Sequence, residues 1–164
     1  MSQVGSFGVN YKKIFADPAT TDSGLPLPIA VGSVGSLIEG DFVFVQADGA
    51  IAQYAWVKIT EAGQASEATD AIAGPVQVGV AQVAAADNEY LWVWIGGPMG
   101  GGTGKGIKGK ILTGYVAGNA LYTTSTAGCA DDATATDKLN GVVGLANTSG
   151  TTAVELASTG HIAV

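Results

Sequence analysis

The side chains able to do chemistry in this chain are few and far apart. There is one histidine, His161, and one cysteine, Cys129. Nucleophilic catalysis needs a base beside the nucleophile, and acid–base catalysis needs a positioned titratable group. His161 stands among Gly160, Ile162 and Ala163, with no carboxylate or Cys nearby in sequence, and reads as an exposed terminal residue rather than a ligand. Cys129 reads as a small, part-buried residue near a turn rather than a reactive thiol. The patterns H-E-x-x-H and G-x-S-x-G are absent. Paired carboxylates occur as Asp131-Asp132 and Asp87-x-Glu89, and two acids are all a glycosidase needs. Both pairs lie in polar turns, where solvation accounts for them, and neither fits an EF-hand loop. The expectation is a non-enzyme with no cofactor and no metal.

Residues 96–109, GGPMGGGTGKGIKG, invite a phosphate-loop reading, which fails on spacing. A P-loop needs Gly five residues before its Gly-Lys pair, and Met99 stands there; Gly106 stands where Ser or Thr is required. Gly104, Gly106 and Gly109 match G-x-G-x-x-G, but the following KILTGYVAGNALY reads as strand and turn, with no helix to hold a pyrophosphate. The segment is expected to be a mobile loop.

Composition narrows the partners. The net charge is −7, the seven cations are all Lys, and only 13% of residues are charged. A pI near 4.3 argues against nucleic acid, which needs a cationic face. No run reaches the ~20 apolar residues that span a bilayer, so no membrane is expected. The opening MSQVGSFGVNYKK lacks an apolar core segment, so no signal peptide is expected. A single Cys excludes an internal disulfide. With 47% hydrophobic residues and 25 Gly, short strands and many turns fit better than helices.

The elements that must position these residues centre on residues 76–98. Two apolar runs, 76–83 and 90–95, flank a small-polar linker and read as an antiparallel hairpin. In the second run Leu91, Val93 and Ile95 face one way and Tyr90, Trp92 and Trp94 the other. Both faces are apolar, which predicts burial between two layers or against a partner; Tyr90, Trp92 and Trp94 are the candidate subunit seam. Upstream, Asp48-Gly49 predicts a hairpin between 42–45 and a strand over 51–59, itself apolar on both faces. Residues 61–74 read as a loop or one short helix, and residues 142–146 and 153–157 as strands joined by the turn at 147–150. The alternating prolines at 26 and 28 force an extended path in residues 1–30, an N-terminal arm ahead of a single β domain over 31–164. Phe7, Val9, Tyr11, Ile14, Phe15, Leu25 and Leu27 are its candidate partner-binding residues, since each is costly to leave in water.

The two halves echo each other. Residues 40–52 resemble 118–130 at an offset of 78, and Val78-Gly79-Val80-Ala81 resembles Val143-Gly144-Leu145-Ala146 at an offset of 65. Two similar β units packed as a sandwich or barrel are the fold class expected, all-β with at most one short helix. An ordered set of motifs, GVAQ at 79–82, LWVWIG at 91–96, VAGNAL at 116–121, STAG at 125–128 and VGLA at 143–146, resembles the decoration, or cement, proteins of tailed-bacteriophage heads. The resemblance covers roughly residues 36–157 and omits the arm and residues 100–109. It implies a structural protein of the virion, made in the host cytoplasm and seated on the capsid exterior. Its implied partners are the major capsid protein and itself, as a homo-trimer. A second reading is an adhesive or glycan-binding module of a fibre or spike, with Tyr54, Trp56, Tyr90, Trp92 and Trp94 as stacking platforms. Exposed aromatics would favour that reading, and buried ones the first.

Overall fold

Alternation along the strand Gly40–Ala47 sets the architecture. Val43, Val45 and Ala47 enter one core while Phe42 and Phe44 enter another. The neighbouring strand Tyr90–Gly96 divides in the same way, with Leu91, Val93 and Ile95 on the first side and Trp92 and Trp94 on the second. In a computed structural model of the chain, residues 9, 11–15, 29–70, 72, 76–133 and 137–164 are described. Among them are twelve strands: β1 Ile14–Phe15, β2 Val34–Leu37, β3 Gly40–Ala47, β4 Trp56–Ile59, β5 Gln64–Glu67, β6 Gln77–Ala81, β7 Tyr90–Gly96, β8 Lys108–Ile111, β9 Ala120–Thr123, β10 Ala130–Asp131, β11 Lys138–Gly144 and β12 Thr152–Ala163. The described residues form no helix, so the fold is all-β.

The pairings close into two rings. In the first, β3 pairs β5 in parallel, β5 pairs β4, β4 pairs β6, β6 pairs β7, and β7 returns to β3. The second repeats this strand for strand: β8 pairs β10 in parallel, then β9, β11, β12 and back to β8. Closing a sheet leaves no edge, and a five-stranded ring is narrow, which is why Val, Ala, Ile and Leu fill the first one. Counterparts lie 63 to 65 positions apart, as with Val80 and Val143, Ala47 and Ile111, or Ala65 and Ala130. Loop details repeat as well. Tyr54 (φ 64°) and Gly118 (φ 84°) share a left-handed backbone, and each N–H donates to the end of the fourth strand of its ring, Ala81 or Gly144. The Ala52 N–H donates to Glu67 at 2.8 Å, and its counterpart Val116 to Asp132 at 3.1 Å. The 78-residue echo is therefore corrected: β3 corresponds to β8, not to β9, while the 65-residue echo matches the right strands, β6 and β11, two residues out of register, since Val80 and not Val78 is the counterpart of Val143.

The rings are one body because a single core runs through both. Phe42, Trp56, Val80 and Trp94 on the outside of the first ring pack with Ile107, Ile111, Leu121 and Leu156 of the second. Backbone-directed bonds stitch the contact. The Trp56 indole donates to the Lys110 carbonyl at 2.9 Å, Gln77 to the Ile162 carbonyl at 2.9 Å, and Gln82 both donates to the Lys108 carbonyl (2.9 Å) and accepts from its N–H (3.0 Å). The apolar faces that suggested a subunit seam are thus covered by the chain itself.

Three local expectations are also corrected. The β6–β7 hairpin forms as expected, but Asp48-Gly49 does not link a hairpin, since β3 pairs β2, β5 and β7 and never β4. Gly49 does turn the chain, but its N–H donates to Asp87 at 2.8 Å and Ile51 pairs with Ala85, so the turn docks on the β6–β7 loop. The strand over 51–59 is interrupted at Tyr54 and begins only at Trp56. Residues 61–74 contain β5, a strand hairpinned to β4 through the turn closed by the Gly63 N–H to the Thr60 carbonyl.

Candidate interaction surfaces

The described part of the arm is bound to the first ring. β1 pairs antiparallel with β7, Ile14 opposite Leu91 and Phe15 opposite Tyr90, on the side that β6 has vacated. Tyr11 is 9% exposed and stacks on Phe42 with ring centroids 4.8 Å apart, and Phe15 meets Phe44 edge-on at 5.7 Å. Val9 packs on the same core, and Ile14 on the core inside the ring. Burying such rings stabilises by roughly 1.5–3 kcal/mol each, and here the chain's own Phe42, Phe44, Tyr90 and Trp92 supply the burial. Phe7, Leu25 and Leu27 lie outside the described residues.

The aromatic platforms are also internal. Trp56, Trp92 and Trp94 are 1%, 3% and 0% exposed, while Tyr54 and Tyr90 are half-buried. The Trp94 indole donates to the Glu39 carbonyl at 2.9 Å, whereas the Trp92 indole nitrogen is buried without a hydrogen-bond partner.

The chemistry-bearing residues are placed as structural clips. Asp41 accepts from the Ser36 hydroxyl at 2.5 Å and meets His161 Nε2 at 2.7 Å. The carboxylate sits between hydroxyl and imidazole, with Ser36 on Oδ1 and His161 on Oδ2. These bonds, the Ser36 hydroxyl first and His161 next, hold the Asp41 carboxyl below its ordinary range. His161 is therefore not on a loose tail: it lies in β12 opposite Gly96, and its exposed ring is tied to the first barrel. Asp132 accepts from Asn119 (2.7 Å) and Val116, and the Asn119 bond lowers its carboxyl. Asp87 accepts from Gly49 in the turn after β3, and Glu89 closes its own loop by accepting from the Ala86 N–H. Among the described residues no three His, Cys, Asp or Glu side chains group as a metal site. Cys129 is buried, which pushes its thiol up.

The glycine-rich segment is tied down, contrary to the mobile loop expected. Gly101 pairs with Ala157, its N–H donates to the Glu39 carbonyl at 2.7 Å, and the Ser158 N–H donates to Gly100 at 2.8 Å. A Cβ on Gly101 would overlap the Leu156 carbonyl oxygen, so the glycines let two backbones touch where the sequence suggested phosphate. Sequence reasoning missed the clips Gln82 and His161 because their partners Lys108 and Asp41 lie in distant strands, and Glu67 because its partner is a backbone N–H, that of Ala52; the repeat of 63 to 65 residues was the one signal that could have found Glu67 and Asp132 together. Two surface features remain unabsorbed: a projection carrying Ile38 and Met99, and a hollow of about 280 Å³ on the second ring bordered by Ala120, Val143 and Ala157. No protein-family model, curated protein or solved structure matches this chain.

Proposed function

We propose that this chain is a structural virion protein, a decoration protein on the outside of a tailed-phage capsid that stabilises contacts between major capsid proteins without catalysis. The observation that carries the reading is where the tryptophans go. All three lie inside a twin barrel whose rings have no free edge and whose halves are fastened by a common core, a body built to bear load. A glycan-binding module would instead leave such rings open to stack on sugar. The motifs that carry the resemblance fit the same plan, for 79–82 and 143–146 lie at equivalent ends of β6 and β11.

The capsid partner is the major capsid protein, and a trimer follows from the resemblance. Attachment falls to the barrel surface rather than to Val9, Tyr11, Ile14 and Phe15, which the first ring already holds. Mixing the purified protein with undecorated heads and sedimenting them tests the proposal. Saturable co-sedimentation and heads that resist heat better are expected. Heads that bind none of the protein and melt unchanged would overturn it.

A further inference from the structure

A third surface feature appears when the two rings are compared strand by strand. In the first ring β6 pairs with β7 as far as Ala81 opposite Val93 and then turns away. The vacated side of β7 is filled by β1, with Ile14 opposite Leu91 and Phe15 opposite Tyr90. In the second ring β11 parts from β12 at the equivalent point, after Gly144 opposite Leu156. Trp94 pairs with Val80 as Ala157 pairs with Val143, so the counterparts of Leu91 and Tyr90 are Val154 and Ala153. Among the described residues no strand takes the place of β1 there. The vacated side of β12 borders a hollow of about 420 Å³ instead, with Leu145, Asn147 and Thr152 around it.

The backbone on that side is open too. The Leu156 N–H donates to the Ile107 carbonyl at 3.0 Å, and along a strand successive residues turn their backbone groups to opposite sides. Leu156, Val154 and Thr152 therefore bond towards β8, whereas Glu155 and Ala153 point away from it. The Glu155 carbonyl accepts from the Leu145 N–H at 2.8 Å, but the Ala153 N–H and carbonyl meet no partner among the described residues. A strand edge with such open groups is a template for a further strand. Side chains say which strand fits. Phe15 of β1 meets Phe44, which pairs with Trp92; the counterparts of that pair are Lys108 and Glu155. Val154 is buried, as Leu91 is. A strand added to β12 thus sets an apolar residue beside Val154 and charged ones outside, an acid towards Lys108 and a base towards Glu155. β1 itself, with Phe15 on its outer face, suits the aromatic slot and not this one.

We propose that the side of β12 at Ala153 and Val154 receives an extended segment of a partner protein as an added antiparallel strand, with an apolar residue turned inward and acidic and basic residues turned outward. The occupant is an extended peptide because the equivalent slot of the same motif already holds one. It comes from a different protein because this chain's β1 is held by the first ring and carries the wrong outer face. The inference stands apart from the capsid reading.

Selecting displayed random peptides of about ten residues, the length of a long strand, on the purified protein tests it. The selected peptides are expected to alternate apolar with charged residues and to slow hydrogen exchange at the Ala153 amide at least about tenfold. Ala153→Pro removes the open donor and leaves the β8 ladder intact, since that N–H points away from β8, and it weakens the selected peptides at least about tenfold. Lys108→Glu stands in if the proline variant melts early, and weakens the peptides that carry an acid. A selection that enriches nothing, peptides that bind both variants as tightly as the wild type, or an Ala153 amide whose exchange is unchanged overturns the proposal. So does a peptide of the chain's own residues 9–16 that binds as tightly as the selected ones, because the slot then takes the arm of a second copy.

Discussion

Asp41 and His161 are 120 positions apart in sequence, yet their side chains meet at 2.7 Å. The contact joins the first ring to the last strand of the second, and it gives the protein a pH dependence with a definite sign. The Asp41 carboxyl is held below its unfolded value of about 3.9, so it stabilises the fold above that pH. The contribution is lost as pH falls through the lowered value. Urea unfolding at about pH 7 and about pH 3 should show the wild type losing more stability over that interval than Asp41→Asn. Equal losses would mean that the carboxylate is not stabilised in the fold. At this scale the sequence showed which faces of β7 are apolar, because alternation is local. It could not show the partner of His161, because nothing near residue 161 encodes Asp41.

Strands were easier to read than their pairings. Tyr90–Gly96 stands out because two apolar faces of β-branched and aromatic residues admit few alternatives. β5 was missed because Gln64–Glu67 presents only Ala65 to the core and its other residues are polar. The Asp-Gly turn misled because turn chemistry fixes a local bend and says nothing about which strand the chain meets next. The arm shows the same limit: its apolar residues signalled burial, but not whether that burial comes from this chain or another. The stacking of Tyr11 on Phe42 makes a direct prediction. Tyr11→Ala should destabilise the protein by about 2–4 kcal/mol in chemical denaturation, because it removes a buried ring from the first barrel's outer core. A change under about 0.5 kcal/mol would mean that the arm is not part of the folded body.

The described residues form a barrel motif used twice, and its two copies differ at the face by which the first meets the second. The repeat was audible in sequence as V-G-V-A against V-G-L-A, which pairs β6 with β11 two residues out of register, and β3 was assigned to the wrong counterpart because glycine turns look alike in every hairpin. The tryptophans that fasten one ring to the other make the pair a single unit. Trp56→Ala should therefore cost about 3–5 kcal/mol by leaving a cavity and an unpaired Lys110 carbonyl. Calorimetry should still show one transition, since one core serves both rings. Two separate transitions in the wild type would contradict that unity. The functional account rests on where this rigid body sits. The most direct measurement is a cryo-electron-microscopy difference map between heads with and without the protein. The account predicts twin-barrel density on the outer capsid surface, bridging neighbouring major capsid subunits. Density at a fibre or tail tip, or none on the shell, would contradict it.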